Sequence, residues 1–182
     1  MLLTKPTQTR RRFNMKKGWI GIDPGATGAI VLLTDGEPMR TLRFMNSTNK
    51  ETHKFLNDIA FEYDEVFCIL EAVHAFPGMA AGAVFNFGES YGFVQGVLVS
   101  TGIPYELVTP QSWMKQMRIP KREVQRDPVT KKELPSSESK TDYKRRLKQK
   151  AEELYPTVKI TNDTADAILI ADYCKRLKTN TL

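Results

Sequence analysis

Asp23 ends an apolar run, Trp19-Ile20-Gly21-Ile22, and is followed at once by Pro24-Gly25-Ala26-Thr27-Gly28. The run reads as a buried strand that Pro24 closes, and Gly25 and Gly28 permit a tight reversal into a second apolar run, Ala29 to Leu33. A backbone of this kind can approach a phosphate or a metal ion closely, although a plain hairpin turn containing Asp-Pro-Gly reads the same way. Glu71 repeats the setting at the end of Phe67-Cys68-Ile69-Leu70, so parallel neighbouring strands would deliver both acids to one sheet edge. Asp163 and Asp166 are three apart at the start of an apolar helical segment and share one helix face. Aspartate at a helix start is also an ordinary N-cap, and Asp166 suits the positive end of a helix dipole. Four acids brought together repel unless divalent cations sit between them, which describes a two-metal phosphodiester site with ions about 4 Å apart.

The elements that must hold these acids follow from periodicity and turn residues. Strands are expected at 19–23, 29–34 and 39–45, with Asp35-Gly36 as a hairpin turn. A helix at 49–62 carries Phe55, Leu56, Ile59 and Ala60 at helical spacing, and a strand at 66–71 follows. A long helix at 79–100, a strand at 105–108 and a short helix at 112–117 lead into a polar stretch, 120–139, and two closing helices, 140–154 and 164–177. Three strands in a meander, then alternating helices and strands, predict an α/β fold: one mixed sheet with helices on both faces.

Composition narrows the partners. The 182 residues suffice for one domain with a full core, and the formal charge is +6. That charge is concentrated: residues 1–17 hold six Lys/Arg and no acid, and residues 115–150 hold thirteen Lys/Arg against five acids. The rest of the chain is therefore net acidic, a pattern suited to gripping a polyanion while gathering cations at a carboxylate site. A flexible basic arm (1–17) is expected to precede a single domain (18–182) with a mobile basic loop around 120–139. Cys68 and Cys174 lack metal or disulfide spacing, which points to a reducing compartment. No apolar run reaches membrane-spanning length, so no membrane partner is expected. The arm, with Arg10, Arg11 and Arg12, lacks the apolar core of a secretory signal, and Met15-Lys16-Lys17 offers an alternative start. An appended basic arm on a cytoplasmic protein is the simpler reading than organellar targeting.

The set G-I-D-P-G-x-x-G, I-L-E-A-V, V-T-P-Q-x-W and D-x-A-D-A, in this order, resembles the RuvC family of Holliday junction resolvases in its bacteriophage-type branch, over about residues 18–177. The resemblance implies a ribonuclease H-like fold in a bacterial or phage-infected cell. It also implies a structure-specific endonuclease that cuts four-way DNA junctions as a homodimer. By that likeness Asp23, Glu71, Asp163 and Asp166 are the catalytic acids and the ligands of two Mg²⁺ ions, for which Mn²⁺ substitutes. Asp23 would bridge both ions, and the products would carry 5′-phosphate and 3′-hydroxyl ends. No nucleotide cofactor is implied.

Several segments depart from the family pattern or lie outside it. An aromatic residue that stacks on bases is expected shortly after the glutamate, and His74 stands there with Phe76 two residues later, so Phe76 is the candidate base contact. Lys121 and Arg122 open the basic loop, and Lys140, Lys144, Arg145 and Lys148 lie on the penultimate helix; all six are candidate phosphate contacts. Gly88, Gly92 and Gly96 recur every four residues on the long helix, which allows close packing on its own sheet or on a second subunit. Other classes fit less well. An ATPase of the actin and sugar-kinase group needs a second lobe and a second Asp-x-Gly loop, for which there is no room. A non-catalytic branched-DNA-binding relative would have no use for four acids, and a flap or replication-fork endonuclease of the same fold remains the nearest alternative.

Overall fold

The computed structural model describes residues 15–74 and 78–182. Five strands, β1 (Lys17–Asp23), β2 (Ala29–Thr34), β3 (Arg40–Arg43), β4 (Glu65–Glu71) and β5 (Tyr105–Val108), form one sheet in the order β3-β2-β1-β4-β5. β1 pairs antiparallel with β2 and β2 with β3, whereas β1–β4 and β4–β5 are parallel. The helices are α1 (Asn49–Glu62), α2 (Ala81–Ser100), α3 (Pro110–Gln116), α4 (Lys140–Leu154) and α5 (Asn162–Thr179). Among the described residues no helix is long and apolar enough to cross a membrane.

Alternation along the strands sorts the core into two layers. Trp19, Val31, Leu33 and Ile69 face α3, α4 and α5, where Trp113, Leu147, Ile168 and Leu169 complete a cluster. Ile20, Ile22, Ile30, Leu32, Cys68 and Leu70 face α1 and α2, packing on Leu56, Ile59, Val94, Val97 and Leu98. The mixed sheet with helices on both faces is therefore the observed architecture. Both cysteines are buried and free.

Gly21 sets how closely α5 lies on the sheet. A Cβ built there would stand 2.2 Å from the Ala171 amide nitrogen and 2.4 Å from the Ala167 carbonyl, so only glycine admits helix backbone at this distance. α5 runs opposite to β1 and β4: its C-terminal Lys175 and Lys178 lie over the rings of Trp19 and Phe67 near the strand starts. Tyr155, just after α4, donates to Asp172 at 2.8 Å, and Arg176 holds the same buried carboxylate at 2.7 Å, joining the two last helices.

Local boundaries have local causes. Thr48 and Glu51 form a capping box that starts α1, a device that stabilises helices by about 1 kcal/mol. β3 ends at Arg43, short of the expected 45, because Phe44–Asn46 turns into a 3₁₀ segment. α2 starts at Ala81 because Ala80 is extended, and α3 starts at Pro110, earlier than expected, because Thr109 caps Ser112 N–H. The stretch 120–139 folds back on itself as an irregular hairpin: Glu138 N–H donates to Glu123 O at 2.8 Å, Leu134 N–H to Gln125 O at 2.9 Å, and the backbones of Arg126 and Glu133 form an isolated antiparallel β-bridge.

Candidate active site

The parallel register of β1 and β4 ends on Ile22 opposite Leu70, so Asp23 and Glu71 leave adjacent strands at the same edge. The Asp23 carboxylate turns back to accept the Gly25 amide at 3.1 Å, and Gly28 is required beside it, since a Cβ there would meet the Asp23 carbonyl at 2.1 Å. Thr161, not Asp163, is the N-cap of α5, and Thr164 Oγ1 accepts from the Thr161 amide at 3.0 Å. Asp163 is thereby free of capping and pairs with Arg43 at the end of β3. Asp166, one turn on, is buried beside Asp23 and Glu71.

Burial and crowding raise the proton affinities of Asp23 and Glu71. Burial raises the Asp23 carboxyl above its ordinary value, repulsion by Asp166 adds to this, and the Gly25 amide opposes it. Burial pushes Glu71 up to about 7, with Asp23 and Asp166 adding to the rise and the Trp113 indole N–H, which donates to Oε1 at 2.8 Å, opposing it. The positive charge among them is Lys144, whose ammonium donates to Asp166 Oδ2. Burial would favour neutral Lys144, but attraction to Asp166, then Asp23 and Glu71, holds it above its ordinary value.

The donor set suits Mg²⁺ or Mn²⁺. All four candidate ligands are hard carboxylates, and Asp166 Oδ1 is buried without a hydrogen-bond partner, an acceptor that a cation would satisfy. Among the described residues no three such side chains already enclose an ion, since Asp163 faces Arg43, Asp166 faces Lys144 and Glu71 faces Trp113. Ligation would exchange these two cationic side chains for metal. Beside them opens a cleft of about 300 Å³ lined by Asp23, Thr27, Lys140, Lys144 and Asp163.

The fold thus gathers Asp23, Glu71, Asp166 and Lys144, with Asp163 and Lys140 at the cleft. The other candidate phosphate contacts lie apart. Arg145 is exposed and paired with Asp142, Lys148 pairs with Glu152, and Arg122 forms a bidentate pair with Glu133. Lys121 is exposed, its carbonyl held by Arg146. Phe76 falls outside the described residues. Two residues escaped the sequence reading. Trp113 was visible as part of V-T-P-Q-x-W but not as the donor to Glu71, and Arg43 carries no motif that would have marked it as the partner of Asp163.

No protein-family model matches the chain, and no curated protein matches it in sequence. Solved structures do. The Thermus thermophilus RuvC in complex with a Holliday junction substrate superposes with a TM-score of 0.53 at 14% identity, covering 92% of this chain and 98% of that one. A second Thermus thermophilus RuvC structure gives 0.52 at 15% identity over the same shares. The five-stranded mixed sheet with its flanking helices is thus the ribonuclease H-like fold of RuvC Holliday junction resolvase structures.

Proposed function

We propose that this chain is a divalent-metal-dependent endonuclease that cuts branched DNA, with the four-way junction as its substrate and a homodimer as its working unit. The observation that carries the reading is the carboxylate cluster: Asp23, Glu71 and Asp166 desolvated together at the sheet edge, with Asp166 Oδ1 unpartnered. Three acids buried side by side with a single lysine among them, two of them, Asp23 and Glu71, with raised proton affinity, suit a site that takes up cations better than one that only supports the fold. The RuvC-like fold and the RuvC complex with junction DNA favour the branched substrate.

Asp23, Glu71, Asp163 and Asp166 would hold two divalent ions. When bound, such ions supply an activated hydroxide and stabilise the leaving oxygen. The protein's own groups do the positioning. Gly25 N–H fixes the Asp23 carboxylate and Trp113 N–H fixes Glu71, while Lys140 and Lys144 line the cleft where a phosphate would enter. Lys144, which lines the cleft beside Asp166, would offer a counter-charge to a phosphate bound there. The outward glycines of α2 supply the dimer surface, since a Cβ at Gly82, Gly88, Gly92 or Gly96 meets nothing within 4 Å.

Incubation with four-way, three-way, flap and linear DNAs, with and without Mg²⁺, tests the reading. Cleavage should require Mg²⁺ or Mn²⁺, and Asp23→Asn, Glu71→Gln or Asp166→Asn should slow it by about a thousandfold or more while DNA binding survives. Paired symmetric nicks across a junction are expected; nicks confined to one arm of a flap would move the assignment to a flap or fork nuclease. Full activity in EDTA would refute the metal site.

A further inference from the structure

The hairpin 122–138 is built to present its tip. Arg122 grips Glu133 with two hydrogen bonds, at 2.9 and 2.6 Å, and donates to the Glu138 carbonyl at 2.8 Å. Arg146 on α4 grips the Glu138 carboxylate at 3.1 and 2.9 Å and donates to the carbonyls of Pro120 and Lys121. The root is thus fixed to α4, the helix that also carries Lys144 into the acid cluster. At the tip, Asp127 Oδ1 accepts from the Val129 amide at 3.0 Å and from both the amide and the hydroxyl of Thr130, while Lys131 takes a left-handed φ of 58°. Asp127, the tip's one acid, is spent on the turn.

What this turn displays is Val129, 85% exposed, next to exposed Pro128 and flanked by Arg126, Lys131 and Lys132. Tight turns are ordinarily polar, and an apolar side chain held clear of the body on a braced turn gains nothing for folding. An apolar tip between cations suits one partner well: a polyanion whose apolar interior opens at base steps. Proteins that kink or open duplexes insert such wedges between bases while cations hold the flanking phosphates.

We propose that the hairpin is a wedge for branched DNA: Pro128 and Val129 enter at the branch and unstack the adjoining base pair, while Arg126, Lys131 and Lys132 hold the phosphates. The inference rests on the reading of the chain as a branched-DNA nuclease. Full-length protein in EDTA, mixed with a four-way junction carrying 2-aminopurine beside the crossover, tests it. The wild type should raise the fluorescence severalfold. Val129→Asn should abolish most of that rise while junction affinity falls by no more than about threefold, and Val129→Phe should retain or exceed it. Lys131→Ser with Lys132→Ser should lower affinity and reduce the log affinity against log salt slope by about 2. An unchanged rise in Val129→Asn overturns the wedge; if the same preparation cleaves junctions in Mg²⁺, the nuclease reading stands without it. A wild type that binds no branched DNA overturns both. A Val129→Asn protein sedimenting at half the wild-type mass assigns the tip to contact between copies and overturns the wedge as well.

Discussion

α5 and α2 cover opposite faces of the sheet and are buried in inverse order to their polarity. α5 carries three aspartates and three cations yet has eleven buried residues, whereas α2 has one acid, no Lys or Arg, and three buried residues. Apolar content alone therefore does not place a helix. α5 lies deep because small residues, Ala167 and Ala171, meet Gly21 of β1 backbone to backbone. α2 touches the sheet through one end, leaves Phe85 and Val99 largely exposed, and turns its glycines to open space. Close packing on the α5 side delivers acids to the sheet edge, while the α2 side leaves apolar surface uncovered.

The largest expected effect separates the two sides directly. Gly21→Val forces a side chain into α5 backbone and should destabilise by about 3 kcal/mol or more, whereas Gly92→Ala should be neutral or stabilising by up to about 1 kcal/mol. Urea unfolding of both variants checks this, and equal losses would erase the distinction.

Next comes pH. Glu71 holds its proton up to about 7 in the fold against an ordinary 4.5, and Asp23 shifts the same way, so the folded chain binds more protons than the unfolded chain between these values. Stability of the metal-free protein should be fully present below pH 4.5 as far as Glu71 is concerned and fall by about 3 kcal/mol as pH rises through 7. Urea midpoints at pH 5.5 and 8 measure this. Glu71→Gln should flatten the dependence, and Mg²⁺ should restore stability more at pH 8 than at pH 5.5.

Trp113→Phe keeps an aromatic ring, though a smaller one, and removes the indole N–H that favours ionised Glu71. The expected loss is about 1 to 2 kcal/mol, greater at pH 8 than at pH 5.5, and the pH profile of cleavage should move upward. On the opposite face, Gly92→Leu should shift sedimentation toward monomer before it changes metal affinity. The smallest effect belongs to Arg145→Ser with Lys148→Ser. Both sit in exposed i,i+3 or i,i+4 pairs, so stability should change by less than about 0.5 kcal/mol. If these cations touch phosphates, the slope of log affinity against log salt should fall by about 2, and an unchanged slope would leave them as a solvated helix face.

Much of this organisation was legible because its causes are local. The apolar runs ending in Asp23 and Glu71 announce strand ends, and Phe55, Leu56, Ile59 and Ala60 at helical spacing mark α1. What stayed hidden depends on partners distant in the chain. Arg43 meets Asp163 across 120 residues, and Trp113 meets Glu71 across 42. Lys144 looks like its neighbours in a charge run, and only the helical register of α4 against α5 separates it from Arg145. The polar segment 120–139 reads as a loop by composition, but its order comes from Arg122 and Arg146, which bond residues up to 26 positions away.

α5 also divides its length between two tasks. Its first turns present Asp163 and Asp166, while its last turns are moored: Lys175 reaches Asp35 in the β2–β3 turn at 2.7 Å, and Lys178 reaches Glu106 on β5 at 2.6 Å. Roughly 20 Å of helix separates the two ends. Leu182 is half exposed beyond the moored end, on the side where β1 and β4 begin. A tether or fluorophore attached at Leu182 would report on or immobilise the protein from the face opposite its carboxylates, leaving the cleft open.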